Sequence, residues 1–215
     1  MFRSLHKIGL ATGAAVLASA ATASGALAAN PIVASVSGTT LTITDTTGVN
    51  QALIVSTNSP GYYNLKDGLS ANAFVAGTGV AIAGTYSQND VIISTGSATI
   101  TRVLVRGADG ADGVNAAGVT NVPVSLFGDG GNDILTAGAG ADIVNGGDGD
   151  DVVRGGAGND LLTGGFGSDS VYGQNGDDQI FDRDGYADTV DGGNDYDEFT
   201  RDAGLDTASN IELYK

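Results

Sequence analysis

Residues 128–181 read GDGGNDILT, AGAGADIVN, GGDGDDVVR, GGAGNDLLT, GGFGSDSVY and GQNGDDQIF, six consecutive blocks of nine. The fourth place is always glycine: Gly131, Gly140, Gly149, Gly158, Gly167 and Gly176. The sixth is always aspartate: Asp133, Asp142, Asp151, Asp160, Asp169 and Asp178. The eighth is always a branched aliphatic: Leu135, Val144, Val153, Leu162, Val171 and Ile180. A fixed period this short specifies stacked coils, a solenoid rather than a globule.

Each place has a chemical role. Glycine at the first, second and fourth places lets the chain take positive φ and turn its carbonyls to one side. The aspartate that follows adds a carboxylate to those carbonyls. The candidate metal ligands are therefore the six aspartates together with Gly131, Gly140, Gly146, Gly149, Gly155, Gly158, Gly164, Gly167 and Gly176. Neutral and anionic hard oxygens together suit the six to eight coordination positions of Ca²⁺ better than the strict octahedron of Mg²⁺. The closing apolar triplet is a minimal strand with one side chain turned inward.

These blocks resemble the GGxGxDxUx nonapeptides of the RTX, or hemolysin-type, calcium-binding repeat family. The resemblance implies an all-β fold, a right-handed parallel β-roll with two nonapeptides per coil and Ca²⁺ between vertically adjacent turns. Residues eighteen apart then stack. Asp133, Asp151 and Asp169 line one edge and Asp142, Asp160 and Asp178 the other, which gives four sandwiched calcium sites.

The repeat frays at both ends. Gly107 to Asn115 fits the template with Ala108 at the second place, and its Asp112 precedes Asp133 by twenty-one residues instead of eighteen. Residues 182–191 form a ten-residue block with Asp188, and 192–200 carry Asp197 but set Asp195 where the fourth glycine belongs. Asp112, Asp188 and Asp197 are thus further candidate ligands, and the last two extend the count to as many as six sites. The expected organisation is a secretory signal peptide over 1–29, an irregular β-rich segment over 30–106, the nonapeptide roll over 107–200 and a closing cap over 201–215. In the second of these, Thr, Val and Ile alternate in short runs between Gly, Asn and Asp turns.

Charge agrees with metal binding. The net charge is −16, and 17 of the 25 acidic residues lie in 128–200 against Arg154 and Arg183 alone. Such a segment repels itself until cations neutralise it. It has no basic surface for nucleic acid. Without calcium the same composition suits a solvated linker, but a linker has no reason to keep an aliphatic at every ninth place.

Arg3, His6 and Lys7 precede a moderately apolar stretch from Ile8 to Ala23, and Ala26-Leu27-Ala28 offers small residues for cleavage near Ala28 or Ala29. The chain is expected to be secreted to the extracellular side, with no membrane span. It has no cysteine, so no disulfide staples the exported fold. The single histidine, His6, falls in the segment expected to be removed, which excludes Ser-His-Asp triads, thiol nucleophiles and His-based zinc sites. A calcium-dependent lyase-like enzyme would have to recruit Lys66, Arg102 or Arg106. The leading expectation is a secreted, non-catalytic protein that folds on binding Ca²⁺. The alternative is a calcium-rigidified adhesion or cell-envelope matrix protein, with cell wall or extracellular matrix as partner and the outward pairs Ile134/Val152 and Ile143/Leu161 as its contact surface.

Overall fold

The computed structural model describes residues 32–44, 52–59, 62–67, 74–76, 81–87, 90–94, 99–202 and 204–215; the expected signal peptide lies outside the described residues. Among the described residues there is no helix, and twenty strands make two ten-stranded sheets. From Arg102–Arg106 onward, successive strands alternate between the sheets and pair in parallel with the strand two places later. Six two-strand coils result, closed by Leu213–Tyr214. The expected parallel β-roll is therefore present.

The register carries the period directly. Ile143 pairs with Leu161 and Leu161 with Gln179 on one sheet, and Ile134 pairs with Val152 and Val152 with Ser170 on the other, each eighteen residues apart. The two extra-long steps fall where the sequence departs from nine. Val103 pairs with Val124 and Gly113 with Ile134, twenty-one apart, while Ser170 pairs with Thr189, nineteen apart.

The eighth-place side chains make the core. Leu126, Val144, Leu162, Ile180 and Phe199 stack from coil to coil on one sheet, and Val114, Leu135, Val153, Val171 and Val190 on the other. All are buried. Because side chains alternate along a strand, the first-place residue, two positions after the aliphatic, also faces inward, at the corner where the chain turns to the opposite sheet. That alternation builds the site described below.

Upstream, the two sheets continue with different pairing. Thr40–Thr44 lies parallel to Arg102–Arg106, and Ala52–Ser59 parallel to Gly113–Gly118, so each adds to one sheet of the roll. Beyond them antiparallel pairs enter: Ile32–Ser37 with Thr40–Thr44, and Ala52–Ser59, Tyr62–Asp67, Asp90–Ser94 and Ala81–Ser87 in succession, while Phe74–Ala76 adds in parallel to Ile32–Ser37. Downstream, Thr207–Ser209 and Leu213–Tyr214 are the last strands of the two sheets. Ile211 packs against the core there, and Tyr214 meets the Phe199 ring edge-on at 6.5 Å.

Asp195 shows what the fourth-place glycine contributes. Its φ is +81°, positive like those of the fourth-place glycines, such as Gly149 at +130°. A residue with a Cβ is strained there by roughly 1–2 kcal/mol. Replacing Asp195 with Gly, measured in saturating calcium, should stabilise the protein by about 1 kcal/mol after the greater freedom of glycine in the unfolded chain is deducted. The melting temperature should rise by roughly 2–4 °C. A fall would show that the Asp195 carboxylate matters more than its backbone.

Candidate metal centre

The sixth-place aspartates form two continuous buried ladders, one at each edge of the roll. On the first, the backbone N–H groups of Asp112, Asp133, Asp151 and Asp169 donate to Oδ1 of Asp133, Asp151, Asp169 and Asp188, at 2.7–2.9 Å. On the second, Val124, Asp142, Asp160 and Asp178 donate to Oδ1 of Asp142, Asp160, Asp178 and Asp197, at 2.7–2.9 Å. One oxygen of each carboxylate thus fixes the stacking of the next coil. Two residues outside the candidate set finish the ladders: Asp206 accepts from Asp188 N–H at 3.3 Å, and Glu212 from Asp197 N–H at 2.8 Å.

The other oxygen is left over. Oδ2 of Asp133, Asp151, Asp160, Asp169, Asp178, Asp188 and Asp197 is buried without a hydrogen-bond partner. A single unsatisfied buried polar group costs on the order of 1–3 kcal/mol, and charged ones more. A row of them demands a ligand.

The first-place glycines show where that ligand sits. A Cβ added to Gly155 would lie 2.5 Å from Asp160 Oδ2 and 2.9 Å from the Gly173 carbonyl of the next coil. Gly128, Gly146, Gly173 and Gly192 have the same arrangement, a Cβ position within 3 Å of the block's own aspartate Oδ2 and of a carbonyl one coil on. Gly107 repeats it with Asp112 Oδ2 at 2.7 Å and the Gly128 carbonyl at 2.8 Å. A Cβ at these points would clash, so only glycine lets a carboxylate oxygen and a carbonyl come together in a cradle at the corner, and that pair of hard oxygens fits a divalent cation held beside them.

Electrostatics point the same way. In the ion-free roll, burial pushes Asp133, Asp169, Asp178 and Asp188 up to about 6 and Asp151 and Asp160 up to about 7, each from an ordinary 3.8. Asp197 is raised for the same reason, with Glu212 adding repulsion. Hydrogen bonds from the preceding coil oppose the rise, but less strongly than desolvation promotes it.

The candidate ligands are not equivalent. Asp142 is buried and raised by desolvation like the others, but its Oδ2 accepts a bond from Gly138 N–H at 2.9 Å. The reason is the first place of its block, where Ala137 stands instead of glycine. Its methyl is buried in the core, in the position that elsewhere is left open. Gly140 differs too, for its neighbour one coil back is Pro123, and it lacks the positive φ of Gly131, Gly149, Gly158, Gly167 and Gly176. Gly146, Gly155 and Gly164 are at cradles, whereas the fourth-place glycines lie against the backbone carbonyl of the coil before. Sequence reasoning also missed Asp182, at the first place of the ten-residue block, where both carboxylate oxygens are buried.

Of the basic residues singled out, Arg106 is engaged by Asp129 Oδ1 at 2.9 Å and by the Phe127 ring at 4.6 Å. Arg102 is exposed, and the side chain of Lys66 lies outside the described residues. Among the described residues no helix is long and apolar enough to cross a membrane.

No curated protein and no solved structure matches the chain. The family model described as RTX calcium-binding nonapeptide repeat (4 copies) matches residues 125–153 and 154–181, the coils whose corners carry these cradles. The central coils of the solenoid, residues 125–181, are RTX calcium-binding nonapeptide repeats.

Proposed function

We propose that this is an exported, non-catalytic calcium-binding protein whose β-roll folds as Ca²⁺ fills the corners between coils. The observation that carries this reading is the row of buried aspartate Oδ2 atoms without hydrogen-bond partners, most of them packed against a first-place glycine where a Cβ would clash. Asp133, Asp151, Asp160 and Asp178 then bind Ca²⁺ together with the carbonyls of Gly146, Gly164, Gly173 and Gly192. Export is supported by the basic, apolar and small-residue order of 1–29. Outside cells, calcium is abundant enough for modules of modest affinity. A non-catalytic role is supported by the lack of any histidine beyond His6.

Counting bound ions tests this. Equilibrium dialysis against Ca²⁺ should find several ions per chain, and Ala137→Gly should bind one more than wild type, because it opens the corner beside Asp142. Absence of bound calcium would sink the reading. An unchanged count in Ala137→Gly would show that the first-place Cβ does not gate the corners.

A second reading, the calcium-rigidified adhesion or envelope-matrix protein, is favoured by one observation. Ile134 stacks on Val152 and Ile143 on Leu161 on the outer faces of the two sheets, with Ile134 54 % and Leu161 38 % exposed.

A further inference from the structure

At one corner the repeat departs from its own pattern. Phe181 pairs with Thr163, so Asp182 stands over Gly164, in the first place that glycine holds in every block before it but the one opened by Ala137. The geometry that aims a first-place Cβ into the corner there aims a whole carboxylate. A Cβ added to Gly164 would meet Asp169 Oδ2 and, at 2.6 Å, Asp182 Oδ2, whereas at Gly146 or Gly155 the second neighbour is a backbone carbonyl. Asp188 closes the same corner from the next coil, where its Oδ1 accepts the Asp169 N–H.

Asp169, Asp182 and Asp188 each bring one carboxylate oxygen to within 4.8 Å of the other two. That limit is about twice a Ca²⁺–oxygen bond, so the three oxygens lie within the span that one ion bridges. All three residues are at most 2 % exposed. Asp169 Oδ2, Asp188 Oδ2 and both oxygens of Asp182 lack a hydrogen bond of ordinary geometry. The nearest arginine in sequence, Arg183, is turned outward, its side chain 71 % exposed and 3.8 Å from Asp202. Burial first, then the charges of Asp188 and Asp169, push Asp182 up to about 8.

We propose that Asp169, Asp182 and Asp188 form a three-carboxylate cation site, distinct in kind from the carbonyl-and-carboxylate corners, that fills before them and favours trivalent over divalent ions. Ligand charge is the reason. An ordinary corner has a neutral glycine carbonyl where this one has the Asp182 carboxylate, so this corner brings one more anionic group, three in all. Calcium affinity rises with the charge count of the ligands. A trivalent ion cancels the charge of this corner, and Ca²⁺ leaves one negative charge over. The first ion then clamps Ser170–Asn175 to Thr189–Asn194, so ordering starts near the C-terminal end of the roll and spreads to earlier coils. The inference rests on the calcium reading above and adds a rank order to it.

The test is a titration of the full chain with Ca²⁺ alone and with Tb³⁺ alone, following bound ion by dialysis and by tyrosine-sensitised terbium luminescence. Wild type should fill one equivalent at about tenfold lower free ion than the rest, with a larger separation for Tb³⁺. Asp182→Gly, which restores the residue of the other blocks, should lose the early phase while keeping the later ions. Asp182→Asn keeps the side-chain volume and should fall between the two, which guards against a folding defect in the glycine variant. A single phase in wild type, or an early phase that survives in Asp182→Gly, overturns the proposal while leaving the calcium reading intact. Failure of every variant to bind any ion overturns both.

Discussion

Stripped of calcium by excess chelator at neutral pH, the protein should lose the β-sheet circular dichroism of the roll and expand in sedimentation, and millimolar Ca²⁺ should restore both. The neutral-pH roll holds a row of buried carboxylates near to one another, and nothing else in the corners neutralises them. At about ten times its dissociation constant, each independent ion contributes roughly 1.4 kcal/mol. Four to six corners therefore contribute about 6–8 kcal/mol, as much as the whole stability of many domains. The core cannot replace this, because along the nonapeptide coils it is only one inward aliphatic per strand deep. A chelated sample with an unchanged spectrum and melting temperature would show that the roll stands without its ions.

Acid should substitute for the metal. The ladder carboxyls titrate near 3.8 in the unfolded chain and at about 6 to 7 in the ion-free roll, because burial disfavours their charge. Between those values the roll holds more protons than the unfolded chain, so its stability falls as pH rises. The contribution is fully present below pH 3.8 and is lost as pH climbs through 6 to 7. Each tenfold change in proton affinity is worth roughly 1.4 kcal/mol, so Asp151 alone accounts for on the order of 2–4 kcal/mol once solvent screening at the edge of the roll is deducted. The chelated chain should therefore gain β structure near pH 4 and lose it again above pH 7. With calcium present the slope reverses, since protons compete with the ion for the same Oδ2 atoms and affinity should weaken as pH falls through 7 to 6. Circular dichroism across pH 4–8, with chelator and with calcium, reads both slopes. A chelated chain that is equally unstructured at pH 4 and pH 8 would mean that the corners contribute nothing to the pH response.

The roll was legible because its period is redundant. Glycine, aspartate and aliphatic each recur at fixed places, and any one of the three ladders predicts the same stacking of residues eighteen apart. The finer character of the corners was not legible. Ala137 differs from glycine by a single methyl and leaves the rest of its block intact, yet that methyl occupies the one point on which the ligand oxygens converge. Asp182 was hidden by the ten-residue block, which displaces the template from the corner it serves. Asp206 had a readable signal, its spacing of eighteen from Asp188. Glu212 had none, since it lies fifteen residues beyond Asp197 and reaches the ladder with a longer side chain. The upstream strands show the opposite limit: alternation of Thr, Val and Ile identifies strands, but the switch from parallel to antiparallel pairing depends on tertiary contacts that no local pattern encodes.

The eighteen-residue register also determines how such a chain can change length. Asn145 pairs with Thr163 and Gly147 with Gly165, so excision of 146–163 would join Asn145 to Gly164 at a junction with the same geometry as the one removed. Val144 would then stack on Ile180, as it now stacks on Leu162, and both sheets would close over the gap. Loss of nine residues has another outcome. Every later strand, Glu198–Arg201 and its closing partner Leu213–Tyr214 included, would move to the opposite sheet and exchange its neighbour across the junction. Gene slippage in this repeat should therefore be tolerated in whole coils and penalised in halves, so that lineages of the protein differ in length by steps of eighteen.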